Sequence, residues 1–279
     1  MIPVKICGIT SVEDAVMCAR EGARALGFVY YGRSPRAISP GESREIARAL
    51  PKEVKKVGVF VNSRPEIVME VAHRVGLDVV QLSGDEPPED VAKITGVRVI
   101  KAFRLARLQD LEQIRRYETV HAVLVDAATR GFYGGTGIQA DWELARLVKK
   151  FGKPVILAGG LNGGNVTRAL RAVQPAGLDV CTGVERGPGV KDPRKVRALF
   201  RAIRSHFREL EESGKLKFDP RKSGKIVLEI RDTGRLPSAN ELLAKARGEA
   251  PASGSEPAES DRGDSAPPYG GALLDENPV

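Results

Sequence analysis

Between residue 2 and about residue 206, short apolar runs alternate with amphipathic stretches eight times, each pair filling roughly 20 to 30 residues. The runs occupy 4–7, 25–30, 55–61, 78–82, 97–103, 122–127, 154–159 and 178–183. They are rich in Val, Ile and Leu with little strict alternation, the pattern of parallel strands covered on both faces. The stretches between them carry helix starts at Thr10 or Ser11, at Ser39 with Pro40, at Asn62 or Ser63, and at Asp192 with Pro193. A short polar side chain there accepts from a free backbone N–H, and proline suits the first turn. Eight β-then-α units predict an α/β protein built as a single (β/α)8 TIM barrel over residues 1–206. A doubly wound sheet is the alternative, but it usually runs to five or six strands.

Past His206 the pattern changes. Residues 207–250 hold one strand-like run, 225–230, and one short helix signal opening at Ser238 or Asn240. This extension is compatible with packing on the barrel, with pairing to a partner, or with neither. Residues 251–279 are dominated by Pro, Gly, Ser, Ala and acids. Such a composition buries too little apolar surface to order itself, and a disordered tail is expected.

Composition narrows the picture. The 279 residues, 42% hydrophobic, suffice for one substantial core. The net charge of +8 is spread along helices as Arg and Lys interleaved with Glu and Asp, without a clustered basic stripe and aromatic partners. That distribution argues against nucleic acid as a partner and favours anionic small substrates. The basic helices suit solvent or a second subunit equally. The three cysteines, Cys7, Cys18 and Cys181, show no C-x-x-C spacing, so neither a disulfide framework nor a zinc site is indicated. No apolar run is long enough to span a membrane, and no charged-then-apolar leader precedes the first strand. A soluble, cytoplasmic protein is the expectation.

The candidate chemistry lies at strand ends, because active sites of such barrels sit at the C-terminal face. Cys7 closes the first strand just before Gly8, although a packed core thiol is the competing reading. Asp126 closes the sixth strand, pointing to the barrel mouth, and the segment 127–137 with Gly134, Gly135 and Gly137 reads as a ligand-covering loop or as simple turns. A thiol of pKa about 8.5 and a carboxyl of about 3.9 serve near neutrality once their surroundings tune them. Arg36 follows Pro35 in a stiff turn after the second strand, where its planar fork suits a carboxylate or caps the loop. Gly159 and Gly160 after strand seven, with Asn162 as a helix cap, and Thr182 and Gly183 after strand eight mark a phosphate site built from backbone N–H groups. Period-two geometry puts Lys5 on the face of Cys7, and Asp179 on strand eight adjoins strand one. A Lys5–Asp179 pair is therefore expected inside the mouth, favouring the thiolate. Gln81, at the fourth strand end, belongs to the same layer or is a structural amide.

With VKICGIT (4–10), GFVYYGRSPRAI (27–38), VGVFVN (57–62), VQLSGDE (80–86), VLVDA with GGTG and DW (123–142), ILAGGLNGGNV (156–166) and DVCTGVERGPGVKD (179–192) in order, the chain resembles the phosphoribosylanthranilate isomerases. The resemblance spans about residues 3 to 200. It implies an Amadori rearrangement in tryptophan biosynthesis without metal or organic cofactor, acting on a small phosphosugar. It also implies roles: Asp126 as general acid, Cys7 as general base, Arg36 on the anthranilate carboxylate, and Gly159, Gly160, Thr182 and Gly183 on the phosphate. Gln81, Gly135 and Asp179 complete the expected substrate contacts. Two positions depart from the family: Ser83 stands where histidine is usual, and Cys181 with Thr182 replaces a serine pair, the cysteine being read as packing. The nearest rival is another phosphosugar barrel, such as a histidine-pathway aminoaldose isomerase, against which Cys7 argues because those resemble a design with an aspartate base. A non-catalytic barrel assembling through its tail is the rival of another class. Expected partners are the phosphosugar and either a second copy of the chain or a protein held by the tail.

Overall fold

The structure, a computed structural model, describes residues 1–126, 138–214, 216–218 and 226–228. The expected covering loop with Gly134, Gly135 and Gly137, the helix signal at Ser238 or Asn240, and the tail 251–279 lie outside those residues.

Eight parallel strands follow the eight apolar runs: β1 (Val4–Cys7), β2 (Ala25–Val29), β3 (Lys55–Phe60), β4 (Val79–Leu82), β5 (Arg98–Phe103), β6 (Ala122–Asp126), β7 (Val155–Ala158) and β8 (Gly177–Val180). They pair in chain order, and β8 pairs with β1, so the sheet is a closed barrel and the doubly wound alternative is excluded. Around it run α1 (Val12–Glu21), α2 (Pro40–Arg48), α3 (Pro65–Val75), α4 (Pro88–Lys93), α5 (Ile138–Val148), α6 (Val166–Val173) and α7 (Pro193–Glu212). Between β5 and β6 the expected helix is a 3₁₀ segment, Leu108–Arg116.

Alternate positions on each strand face alternate worlds. On β1, Val4 and Ile6 join the large core between barrel and helices, whereas Cys7 belongs to a small interior cluster with Val29 and Val59. On β6, Val123 and Val125 face the helices, while Leu124 lies in a second interior cluster with Ile100 and Ala158. Asp126, two residues on, stands beside Ala158 in the register and so shares the interior side.

The helix signals hold at Ser11, whose side chain accepts from Asp14 N–H, at Ser39, which forms a capping box with Glu42, and at Asp192. Neither Asn62 nor Ser63 caps α3, which starts after Arg64 with Pro65 in its first turn. Asn62 is occupied elsewhere: its Oδ1 accepts from Asp85 N–H at 2.6 Å and its own N–H donates to Glu86 at 2.8 Å, tying the β3 and β4 ends together. Asn162 likewise bonds within its own turn, and Asn165 stands at the start of α6. The expected boundary at residue 206 falls inside α7, which continues to Glu212 because His206 and Phe207 extend its buried stripe. Beyond it, Leu216–Phe218 pairs antiparallel with Ile226–Leu228, the latter inside the predicted strand 225–230.

Candidate active site

Cys7 ends β1 inside the barrel, and its environment is built by its neighbours in the sheet. Lys5 Nζ lies 2.9 Å from Asp179 Oδ1, both residues buried, and the two are register partners across the β1–β8 seam. Gly27 on β2 makes room for them: a side-chain carbon there would stand 2.9 Å from the Cys7 sulfur and 3.1 Å from Lys5 Nζ. Burial works against the Lys5 ammonium, yet Asp179 and Cys7 outweigh it and raise its pKa. The Cys7 thiol is lowered to about 7, first by hydrogen bonding with the Cys181 thiol and further by Lys5, against the opposing effect of burial. A thiol so placed exchanges its proton near neutrality, as a general base must.

Asp126, three strands round from Cys7 by way of β7 and β8, lines a cavity of about 440 Å³ at the mouth together with Gln81, Ser83, Lys101 and Asp179. Gln81 Nε2 donates to Ser83 Oγ at 3.1 Å, so the hydroxyl fixes the amide. Gln81 Oε1 is then buried without a hydrogen-bond partner among the described residues and is available to a donor on a ligand. Lys101, buried on β5, donates to the Gly84 and Ala102 carbonyls and pairs with Glu86 at 3.3 Å. Burial lowers its pKa, and Glu86 opposes that effect.

Arg36 is held by Glu185, which accepts from its Nε at 2.9 Å and from its Nη2 at 2.7 Å. Glu185 also receives Lys191 Nζ at 2.7 Å and the Gly189 N–H. Burial opposes the carboxylate, but Arg36 and Lys191 hold its pKa down at about 2. Lys191 reaches on to the Cys7 carbonyl at 2.6 Å, so one buried network joins the arginine to the end of β1. Glu185 thus engages the Nε–Nη2 side of the guanidinium.

Thr182 and Gly183 line a second cavity, about 430 Å³, with Asn162, Gly163, Gly164 and Lys195. Gly159 and Gly160 stand just before it with φ of 93° and 60°, and the Gly160 carbonyl accepts from the side chains of Asn162 and Asn165. A side-chain carbon on Gly183 would overlap the Leu161 carbonyl, so only glycine lets the loops after β7 and β8 pack together. Lys195 Nζ donates to the Glu185 carbonyl at 2.6 Å at the rim of this cavity.

Cys181, expected as a packing residue, does pack against the Cys7 cluster, whereas Glu185, Lys191, Lys101 and Lys195 had no signal of their own in the sequence. The charged four depend on loop paths that no periodicity encodes.

The family pattern described as "PRAI: N-(5'phosphoribosyl)anthranilate (PRA) isomerase" matches residues 4–202. The chain is 45% identical over 218 residues to the N-(5'-phosphoribosyl)anthranilate isomerase of Syntrophus aciditrophicus (strain SB), covering 77% of this chain and 94% of the relative. With that of Geotalea uraniireducens (strain Rf4) it is 49% identical over 201 residues, 72% of this chain and 98% of the relative. Among solved structures, the phosphoribosyl anthranilate isomerase of Thermotoga maritima is 41% identical, with a TM-score of 0.68 over 74% of this chain and 100% of its own. A structure of such an isomerase with reduced 1-(o-carboxyphenylamino)-1-deoxyribulose 5-phosphate is 39% identical, with a TM-score of 0.66 over 74% of this chain and 100% of its own.

Proposed function

The chain belongs to the N-(5'-phosphoribosyl)anthranilate isomerase family, and from that premise we propose how its own residues divide the work. The reaction converts N-(5-phosphoribosyl)anthranilate into 1-(2-carboxyphenylamino)-1-deoxyribulose 5-phosphate, a step of tryptophan biosynthesis. It is an internal redox change: C2 loses a hydrogen and becomes the ketone carbon, and C1 gains one.

In this reading Asp126 protonates the furanose ring oxygen, and the ring opens to a Schiff base. The Cys7 thiolate then removes the C2 proton, and the resulting enolamine tautomerises to the ketone. Arg36, oriented by Glu185, holds the anthranilate carboxylate. The backbone around Gly159, Gly160, Thr182 and Gly183 holds the phosphate, with Lys195 adding charge at the rim. Gln81, Asp179 and Gly135 complete the substrate contacts, Asp179 acting also through Lys5. The observation that carries the assignment is the pairing of a thiol lowered to about 7 with the Lys5–Asp179 ion pair beside it. The core thiol of Cys18 does not share this: buried on α1, it is pushed up to about 12 by desolvation.

The test is turnover of freshly prepared phosphoribosylanthranilate, followed by fluorescence, for the parent, Cys7→Ala and Asp126→Asn. The expected result is parental turnover with at least about a hundredfold loss in each variant. A folded parent without turnover would overturn the substrate assignment, and a folded variant that keeps the parental rate would overturn the role of its residue. The enzyme is read as cytoplasmic; no helix among the described residues is long and apolar enough to cross a membrane. A similar Thermotoga maritima structure is described as derived from a dimeric isomerase, which supports a second copy of this chain as the protein partner ahead of a tail-bound one.

A further inference from the structure

We propose that Cys181 is a positioning residue for the base, its thiol hydrogen directed at the Cys7 sulfur so that the Cys7 thiolate is stabilised from the neighbouring strand. The inference deepens the functional reading above and rests on it for the role of Cys7.

The geometry of the seam carries it. Register across β1 and β8 pairs Val4 with Leu178, Lys5 with Asp179 and Ile6 with Val180. Cys7 closes β1 directly after Ile6, and Cys181 follows Val180 where β8 ends and the chain turns. Lys5 and Asp179 bond to each other inside the barrel, and residues two positions on share their face. Cys181 accordingly packs against the interior cluster of Cys7, Val29 and Val59. Its sulfur lies only 3.3 Å from where a side-chain carbon at Gly8 would stand, that is, over the end of β1.

A thiol has one hydrogen to give, and Cys181 has a competing acceptor in Glu185 Oε1 at 3.7 Å. That carboxylate is already satisfied by Arg36, Lys191 and the Gly189 N–H, all at shorter range. The Cys7 thiolate is the needier acceptor, with Lys5 as its other donor. The same bond, together with burial, raises the Cys181 pKa, so Cys181 keeps its proton while Cys7 gives its own up. The other charges facing Cys7 are Asp179, which opposes the thiolate, and Arg36, which favours it. Lys191 is bonded to the Cys7 carbonyl.

The experiment titrates the ultraviolet thiolate absorbance of the full chain in the parent, Cys181→Ala and Cys181→Ser, alongside the pH profile of kcat/KM. Cys18, at about 12, does not titrate in the neutral range. The expected result is a Cys7 midpoint moved up by about one pH unit in Cys181→Ala, a tenfold smaller thiolate fraction below the midpoint, and kept near the parental value in Cys181→Ser, which retains a donor. The acidic limb of kcat/KM should follow the same shift with the high-pH plateau retained. If Cys181→Ala does not fold, Cys181→Val, matching the aliphatic neighbours, takes its place. An unchanged midpoint in the folded variant overturns the proposal. A midpoint that moves while the rate profile stays still overturns instead the assignment of Cys7 as the base.

Discussion

Lys5 is a buried ammonium that would be costly without Asp179 and Cys7 beside it. Its positive charge favours the thiolate, so its removal must raise the Cys7 pKa and move the acidic limb of kcat/KM to higher pH. We predict an apparent midpoint near 7 for the parent and a higher one for Lys5→Met combined with Asp179→Asn, the second change sparing the fold an orphaned buried carboxylate. A pH series of kcat/KM on the free enzyme reads this directly. This pair was legible in the sequence because strand order and side-chain parity are enough to place it. The Arg36–Glu185 pair was not: the partners lie 149 residues apart on loops whose paths obey no period. Arginine chemistry alone pointed to a carboxylate, and part of the guanidinium is spent on one the protein itself supplies.

Among the elements, the turn after β8 is the one that fastens the site. It runs through Glu185–Gly187 and Val190–Lys191, a small antiparallel pair labelled β9 and β10, before α7 begins. Glu185 opens it with a carboxylate pKa of about 2, against an ordinary value of 4.5. A depressed folded-state value contributes stability that is present above the unfolded pKa and lost as pH falls through the folded one. Unfolding free energy should therefore fall between about pH 4.5 and pH 2, and Glu185→Gln should flatten that fall. At neutral pH the same variant leaves Lys191 buried and uncompensated, a loss of about 3 kcal/mol, measured by denaturant titration. The regular elements were readable from apolar runs, but this short ladder and the 3₁₀ segment Leu108–Arg116 were not. Two- and three-residue strands have too few positions to show a pattern, and the 3₁₀ segment carries the same apolar spacing as an α-helix.

At the scale of the whole molecule, the barrel reaches further along the chain than its last legible cap suggests. Phe207, 6% exposed, seals α7 against the core. Ending the chain after residue 206, or substituting Phe207→Ala, should cost about 3 kcal/mol, whereas ending it after Gly214 should leave Tm and kcat/KM at their parental values; thermal unfolding of the three proteins decides the point. The seam between β1 and β8 has a consequence in time as well as in space. Its partners are separated by 174 residues, so a chain emerging from the ribosome makes its first strand long before the strand that will cover that edge exists. Until β8 arrives, both flanks of the growing sheet are open to stray pairing. The backbone pairing that finally shuts them also carries Asp179 to Lys5, the contact that conditions the thiol, so the reactive cysteine acquires its character only when the last edge is gone.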